Sequence, residues 1–199
     1  MDPIKNPFSP GAGNRPPELA GRDEIRQQAL LALGRIKARR SERSPLMVGL
    51  RGVGKTVLLV ETRKEAEATG YKTMMVEAQE GAPLARLLLP GLRKLLLGLD
   101  TGPALGEKVK RGFRVLKSFL SGVKLAVGEV ELSLDGPPEK GVADSGQLDS
   151  DLADVFVALG EAAAESGTAV AIIIDELQYL SESELSALIM AVHKISQES

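Results

Sequence analysis

Residues 49–56 read Gly-Leu-Arg-Gly-Val-Gly-Lys-Thr, and residues 175–176 read Asp-Glu. The first segment fills the pattern G-x-x-x-x-G-K-[ST] at every fixed position. Such a loop suits a polyphosphate. Gly49, Gly52 and Gly54 let the backbone turn so that several N–H groups point inward. A helix that starts directly after the loop adds its first N–H groups and the positive end of its dipole. Lys55 brings a point charge for the β- and γ-phosphates, and the Thr56 hydroxyl is a ligand for Mg²⁺. Val53 and Val57 belong to the same binding stretch. Arg51 is either a phosphate contact or a solvated side chain. The bland alternative is a glycine-rich turn before a helix.

Asp175 and Glu176 end the apolar run Ala171-Ile172-Ile173-Ile174. Two acids after an apolar strand are common and say little alone. Downstream of a phosphate loop they gain a role. Asp175 at the strand end would hold Mg²⁺ through its water shell. Glu176 would orient and activate a water for attack on the γ-phosphate. Lys55 and Glu176 are thus the candidate catalytic residues, and Thr56 and Asp175 the candidate metal ligands. The alternative is a pair of acids that merely begins a turn.

The surrounding pattern supplies elements that can hold these groups. Residues 1–21 carry Pro3, Pro7, Pro10, Pro16 and Pro17 among several glycines, so they form an extended arm. Residues 22–40 predict a helix with Ile25, Ala29, Leu33 and Ile36 on one face. Leu46-Met47-Val48 predicts a short strand leading into the loop. A helix over 55–69 follows, closed by Gly70, and then a strand over Tyr71–Glu77. Helices are expected over 82–97 and 104–120, with a break at Gly102-Pro103. Val123, Leu125 and Val127, then Val130, Leu132 and Leu134, alternate about Gly128-Glu129, which predicts a β-hairpin. That hairpin would sit in an insertion spanning about 101–146. A helix to about Ser166 and a buried strand over Ala169–Ile174 come next. Ser181-x-x-Glu184 is a capping box for a last helix. Strands alternating with helices argue for an α/β domain with a parallel sheet.

Composition narrows the chemistry further. The chain has 199 residues, enough for one domain with a core. It contains no Cys, which excludes disulfides, thiolate metal sites and Cys nucleophiles. The single His, His193, cannot supply a multi-His site. Aromatic residues make up 3 %, too few for a base-stacking surface. Net charge is −2, so no global basic field draws the chain to DNA or an anionic membrane. Two basic clusters remain, at 35–43 and 108–117. Each reads as a solvated helix face or as a nucleic-acid patch. No apolar run approaches a membrane span of about 20 residues. A cytoplasmic protein with no membrane contact is expected.

The phosphate loop and the acidic pair together resemble those of AAA+ ATPases within the P-loop superfamily. Arg15-Pro16-Pro17-Glu18-Leu19-Ala20-Gly21-Arg22-Asp23-Glu24 resembles the segment before the loop in the branch that holds origin-recognition-type and signalling STAND-like ATPases. The resemblance implies a three-layer αβα domain over 22–199 that binds ATP or ADP with Mg²⁺. It implies that Pro17, Leu19, Ala20 and Arg22 lie against the adenine. No N-K-x-D segment for reading guanine is present. In this family a further strand lies between the loop strand and the acidic strand, followed by a sensor residue, an arginine finger and a small helical lid. None is found before Ser199, so a sheet incomplete at the C-terminus, and weak hydrolysis, are expected.

Four activities fit these features. One is an ATPase that drives a conformational switch on a partner protein or on DNA, which Glu176 favours. Another is a nucleotide-binding regulatory module with negligible turnover, by itself or through self-association. A small-molecule kinase would need an arginine-bearing lid. A DNA-binding module operated by ATP would rest on the two basic clusters.

Overall fold

β1 (Lys72–Glu77) and β2 (Val170–Asp175) pair in parallel as a two-stranded sheet, with Lys72 opposite Val170 and Glu77 opposite Asp175. The computed structural model describes residues 22–50, 52–99, 106–127 and 137–198. In chain order the helices are α1 (Asp23–Lys37), α2 (Lys55–Ala68), α3 (Leu84–Leu99), α4 (Glu107–Val127), α5 (Leu148–Glu165) and α6 (Glu182–Glu198). A 3₁₀ turn, Leu177–Tyr179, joins β2 to α6. The mixed order of helices and strands and the parallel pairing are those of an α/β protein.

Side chains alternate across a strand, and that alternation sorts the helices around the sheet. Met74, Val76, Ile172 and Ile174 join the main hydrophobic core. That core is built from α3, through Leu84, Leu88, Leu92 and Leu95, and from α5, through Leu152, Phe156 and Leu159. The intervening positions meet α2 instead. Arg63 of α2 donates to the Thr73 hydroxyl at 3.2 Å, and Thr56 of α2 meets Asp175. The loop-bearing helix is thereby fixed against the strand that ends in the acidic pair.

Two sequence expectations change here. The strand expected over Leu46–Val48 makes no ladder with β1 or β2. Leu46, Val48 and Leu50 are 69, 87 and 81 % exposed. A strand exists only where a neighbour takes its N–H and C=O groups, and among the described residues β2 pairs on one side alone, with β1. The other change concerns the hairpin. α4 remains helical through Val127, where its first strand was expected. Positions 123 and 127 are one helical turn apart as well as alternate in a strand, so the short pattern fits both. The rest of the predicted hairpin, 128–134, lies outside the described residues, as do the arm 1–21 and Gly102-Pro103.

The span 101–146 also supplies core. Val109, Phe113, Leu116 and Phe119 of α4 are buried at helical spacing, and α4 packs on α3 and α5. Other expectations hold within a few residues. Gly70 closes α2 at φ 89° and Gly167 follows α5 at φ 66°. Among the described residues no helix is long and apolar enough to cross a membrane.

Glu184 ties the segment after β2 to the segment after β1. Its carboxylate accepts from the Ser181 N–H at 3.0 Å, while the Ser181 hydroxyl accepts from the Glu184 N–H at 3.3 Å. This is the expected capping box. The same carboxylate accepts from the Leu84 N–H at 2.7 Å, capping α3 as well. Burial pushes the Glu184 carboxyl upward, but the hydrogen bonds from Leu84 and Ser181 outweigh it, so it lies below the usual glutamate value. A depressed value stabilises the fold above the unfolded-state glutamate pKa, and that stabilisation is lost as pH falls through the folded one. Glu184→Ala is therefore expected to cost about 1–2 kcal/mol at neutral pH. Urea unfolding should show that difference shrinking on acidification; a difference constant with pH would contradict the double cap.

Candidate functional site

The loop at 49–56 bends where its glycines allow. Gly52 has φ 81° and Gly54 φ 86°, both in the left-handed region. A Cβ at either position would meet no atom within 4 Å. Backbone conformation, not lack of space, is what demands glycine there. Gly54 is also the residue before α2, and α2 has no side-chain cap. The N–H groups of its first turn are left for the loop to use.

Lys55 turns back over this loop. Its ammonium donates to the carbonyls of Gly49 and Leu50, both at 2.9 Å. The charge therefore sits within the turn. Thr56, next along α2, reaches a residue 119 positions away: its hydroxyl donates to Asp175 Oδ2 at 2.6 Å. Asp175 is 6 % exposed, and its other oxygen accepts from the Glu176 N–H at 2.9 Å. Glu176 follows directly, in a left-handed conformation at φ 56° and ψ 40°.

Thr56 and Asp175 offer a hydroxyl and a carboxylate oxygen, the hard donors that suit Mg²⁺. Among the described residues no group of three or more His, Asp and Glu could hold a metal ion alone.

The residues expected on the adenine side divide. Arg22 is described, and its guanidinium donates to the Val53 carbonyl at 2.7 Å, joining the start of α1 to the loop. Pro17, Leu19 and Ala20 lie outside the described residues, and so does Arg51. A cavity of about 210 Å³ lies beside this contact, lined by Arg22, Ile25, Ala29, Val53, Lys55 and Leu58 among others. Val57, the last residue of the predicted stretch, is half-buried on α2.

Sequence reasoning assigned Ile25 and Ala29 to a packing face and missed their place at the cavity. The signal was available, since both lie on the one apolar face of α1 that follows Arg22. The contact between the Gln178 side chain and Glu176 was also missed. No local spacing rule marks it.

The cluster at 108–117 is largely paired with carboxylates of the same chain, and the cluster at 35–43 only in part. Arg111 pairs with Glu139 at 2.9 Å and with Glu161 at 2.6 Å. Lys108 meets Glu161 at 3.2 Å, Lys110 meets Glu107 at 2.9 Å and Arg114 meets Glu139 at 3.7 Å. In the other cluster Arg35 pairs with Glu42 at 2.5 Å, and Lys37 donates to the Thr69 carbonyl. These contacts favour solvated, internally paired faces over a phosphate-binding patch.

A family model for the AAA ATPase domain matches residues 18–198. Neither the curated proteins nor the solved structures compared with this chain gave a match.

Proposed function

This chain belongs to the AAA ATPase domain family, and from that premise we propose that it binds ATP with Mg²⁺ through residues 49–57 and hydrolyses it with Glu176 as base. The contact between Thr56 and Asp175, 2.6 Å across 119 positions of chain, carries the reading. It sets the two candidate metal ligands, each chosen from a separate motif, against one another. Mg²⁺, when bound there, neutralises charge on the β- and γ-phosphate oxygens.

The other roles follow from the residues themselves. The loop N–H groups and the first turn of α2 bind phosphate oxygens. Lys55 moves its ammonium from loop carbonyls to the β/γ oxygens and offsets charge as it develops. Glu176 takes a proton from water as the water oxygen attacks the γ-phosphorus. The bond between that phosphorus and the bridging oxygen breaks, giving ADP and phosphate. Arg22, with Ile25 and Ala29 beside it, is assigned to the base side of the site, the role that the resemblance also implies for Pro17, Leu19 and Ala20.

The segment Pro17–Glu24 supports the origin-recognition and STAND-like branch, in which nucleotide state switches contacts with a partner protein. β2 leads through Glu176 and the 3₁₀ turn into α6, which packs on α5. That continuity supports a route from the hydrolysed bond to the helices.

Phosphate release from ATP tests the reading. Release is expected with Mg²⁺ and is expected to cease when EDTA removes it. An equal rate in EDTA would overturn the assignment of Thr56 and Asp175.

A further inference from the structure

An acid directly after another at a strand end faces a geometric problem. Successive side chains of a strand point to opposite faces, so a continued pleat would send Glu176 away from the side that Asp175 and Thr56 occupy. The chain does not continue the pleat. Glu176 takes φ 56° and ψ 40°, a conformation that residues other than glycine rarely adopt. Such a backbone persists only where its surroundings hold it.

Three hydrogen bonds do so. The Glu176 N–H donates to Asp175 Oδ1 at 2.9 Å. The Glu176 carbonyl accepts from the Tyr179 N–H at 3.0 Å. The third is the one that touches the reactive group: Gln178 Nε2 donates to Glu176 Oε2. The first two fix the backbone, and among the described residues Gln178 is the partner of the carboxylate. Glutamate has three side-chain torsions, and an exposed one samples many rotamers unless a partner restricts it.

We infer that Gln178 is a positioning residue, whose side-chain amide holds Oε2 of Glu176 so that Oε1 is presented to the attacking water. The inference rests on Glu176 acting as the base. In this role Gln178 acts through Glu176 and not on the water or the phosphate. The 3₁₀ turn is what makes the contact possible, because it brings a side chain two positions on back toward the carboxylate.

The test compares three variants of the full chain with the wild type in steady-state phosphate release, with Glu176→Gln alongside. Gln178→Glu keeps the length and removes the donor. Gln178→Leu removes all polarity. Gln178→Lys restores a donor on a different side chain. The first two are expected to lower kcat about three- to tenfold, the range of one hydrogen bond, with KM for ATP unchanged. Gln178→Lys is expected to stay within about twofold of wild type. Melting temperatures should match across the set, which separates positioning from a structural role. Equal or higher kcat in Gln178→Glu and Gln178→Leu, with turnover lost in Glu176→Gln, would overturn the pairing alone. So would a fall in kcat that Gln178→Lys does not restore, or one that comes with raised KM and lowered melting temperature. Turnover undiminished in Glu176→Gln would overturn the functional reading and the inference with it.

Discussion

Lys55→Ala is expected to weaken ATP binding by about ten- to a hundredfold, the effect of losing charge-assisted hydrogen bonds. Lys55 is the cation that the loop carries in its own turn, held over the carbonyls of Gly49 and Leu50. A polyphosphate carries several negative charges, and backbone N–H groups supply only partial positive charge against them. Removing the ammonium leaves that charge less compensated. The fold should survive, because the two hydrogen bonds lost are to carbonyls of the loop itself. Titration calorimetry measures the affinity, and circular dichroism checks the fold. An affinity within twofold of wild type in a folded variant would contradict the loop assignment.

Glu176→Gln should leave binding intact and lower turnover by roughly a hundred- to ten-thousandfold, the usual contribution of a positioned base. The amide matches the carboxylate in size and can still hydrogen-bond, but it does not accept the water proton. Asp175 and Thr56 keep their 2.6 Å contact, so the proposed metal ligands stay in place. Phosphate release under saturating ATP isolates the chemical step from binding. A rate equal to wild type would show that another group activates the water.

The loop was legible in the sequence because its requirements are local. A backbone that must turn through φ 81° and φ 86° asks for glycine at 52 and 54. Helix boundaries were legible for a similar reason, as Gly70 and the Ser181–Glu184 box show. The acidic pair was found from its place after an apolar strand. What brings it to Thr56 is the packing of α2 on the sheet, a non-local event that no spacing encodes.

The misread elements fail for the same physical reason. Leu46-Met47-Val48 has strand chemistry, yet a ladder depends on a neighbour elsewhere in the chain. Val123, Leu125 and Val127 alternate over a window too short to separate two periods. α4 carries its helical spacing from Val109 through Phe113 and Leu116, and the backbone follows that longer pattern. The contact of Gln178 with Glu176 escaped notice because it depends on the left-handed turn at Glu176, and glutamate gives no warning of such a turn.

The most direct test of the central claim is titration calorimetry of the wild-type chain with ATP, in Mg²⁺ and again in EDTA. The account predicts saturable binding of one ATP per chain in Mg²⁺, markedly weaker once the metal is removed. A folded chain that takes up no ATP in Mg²⁺ would contradict it.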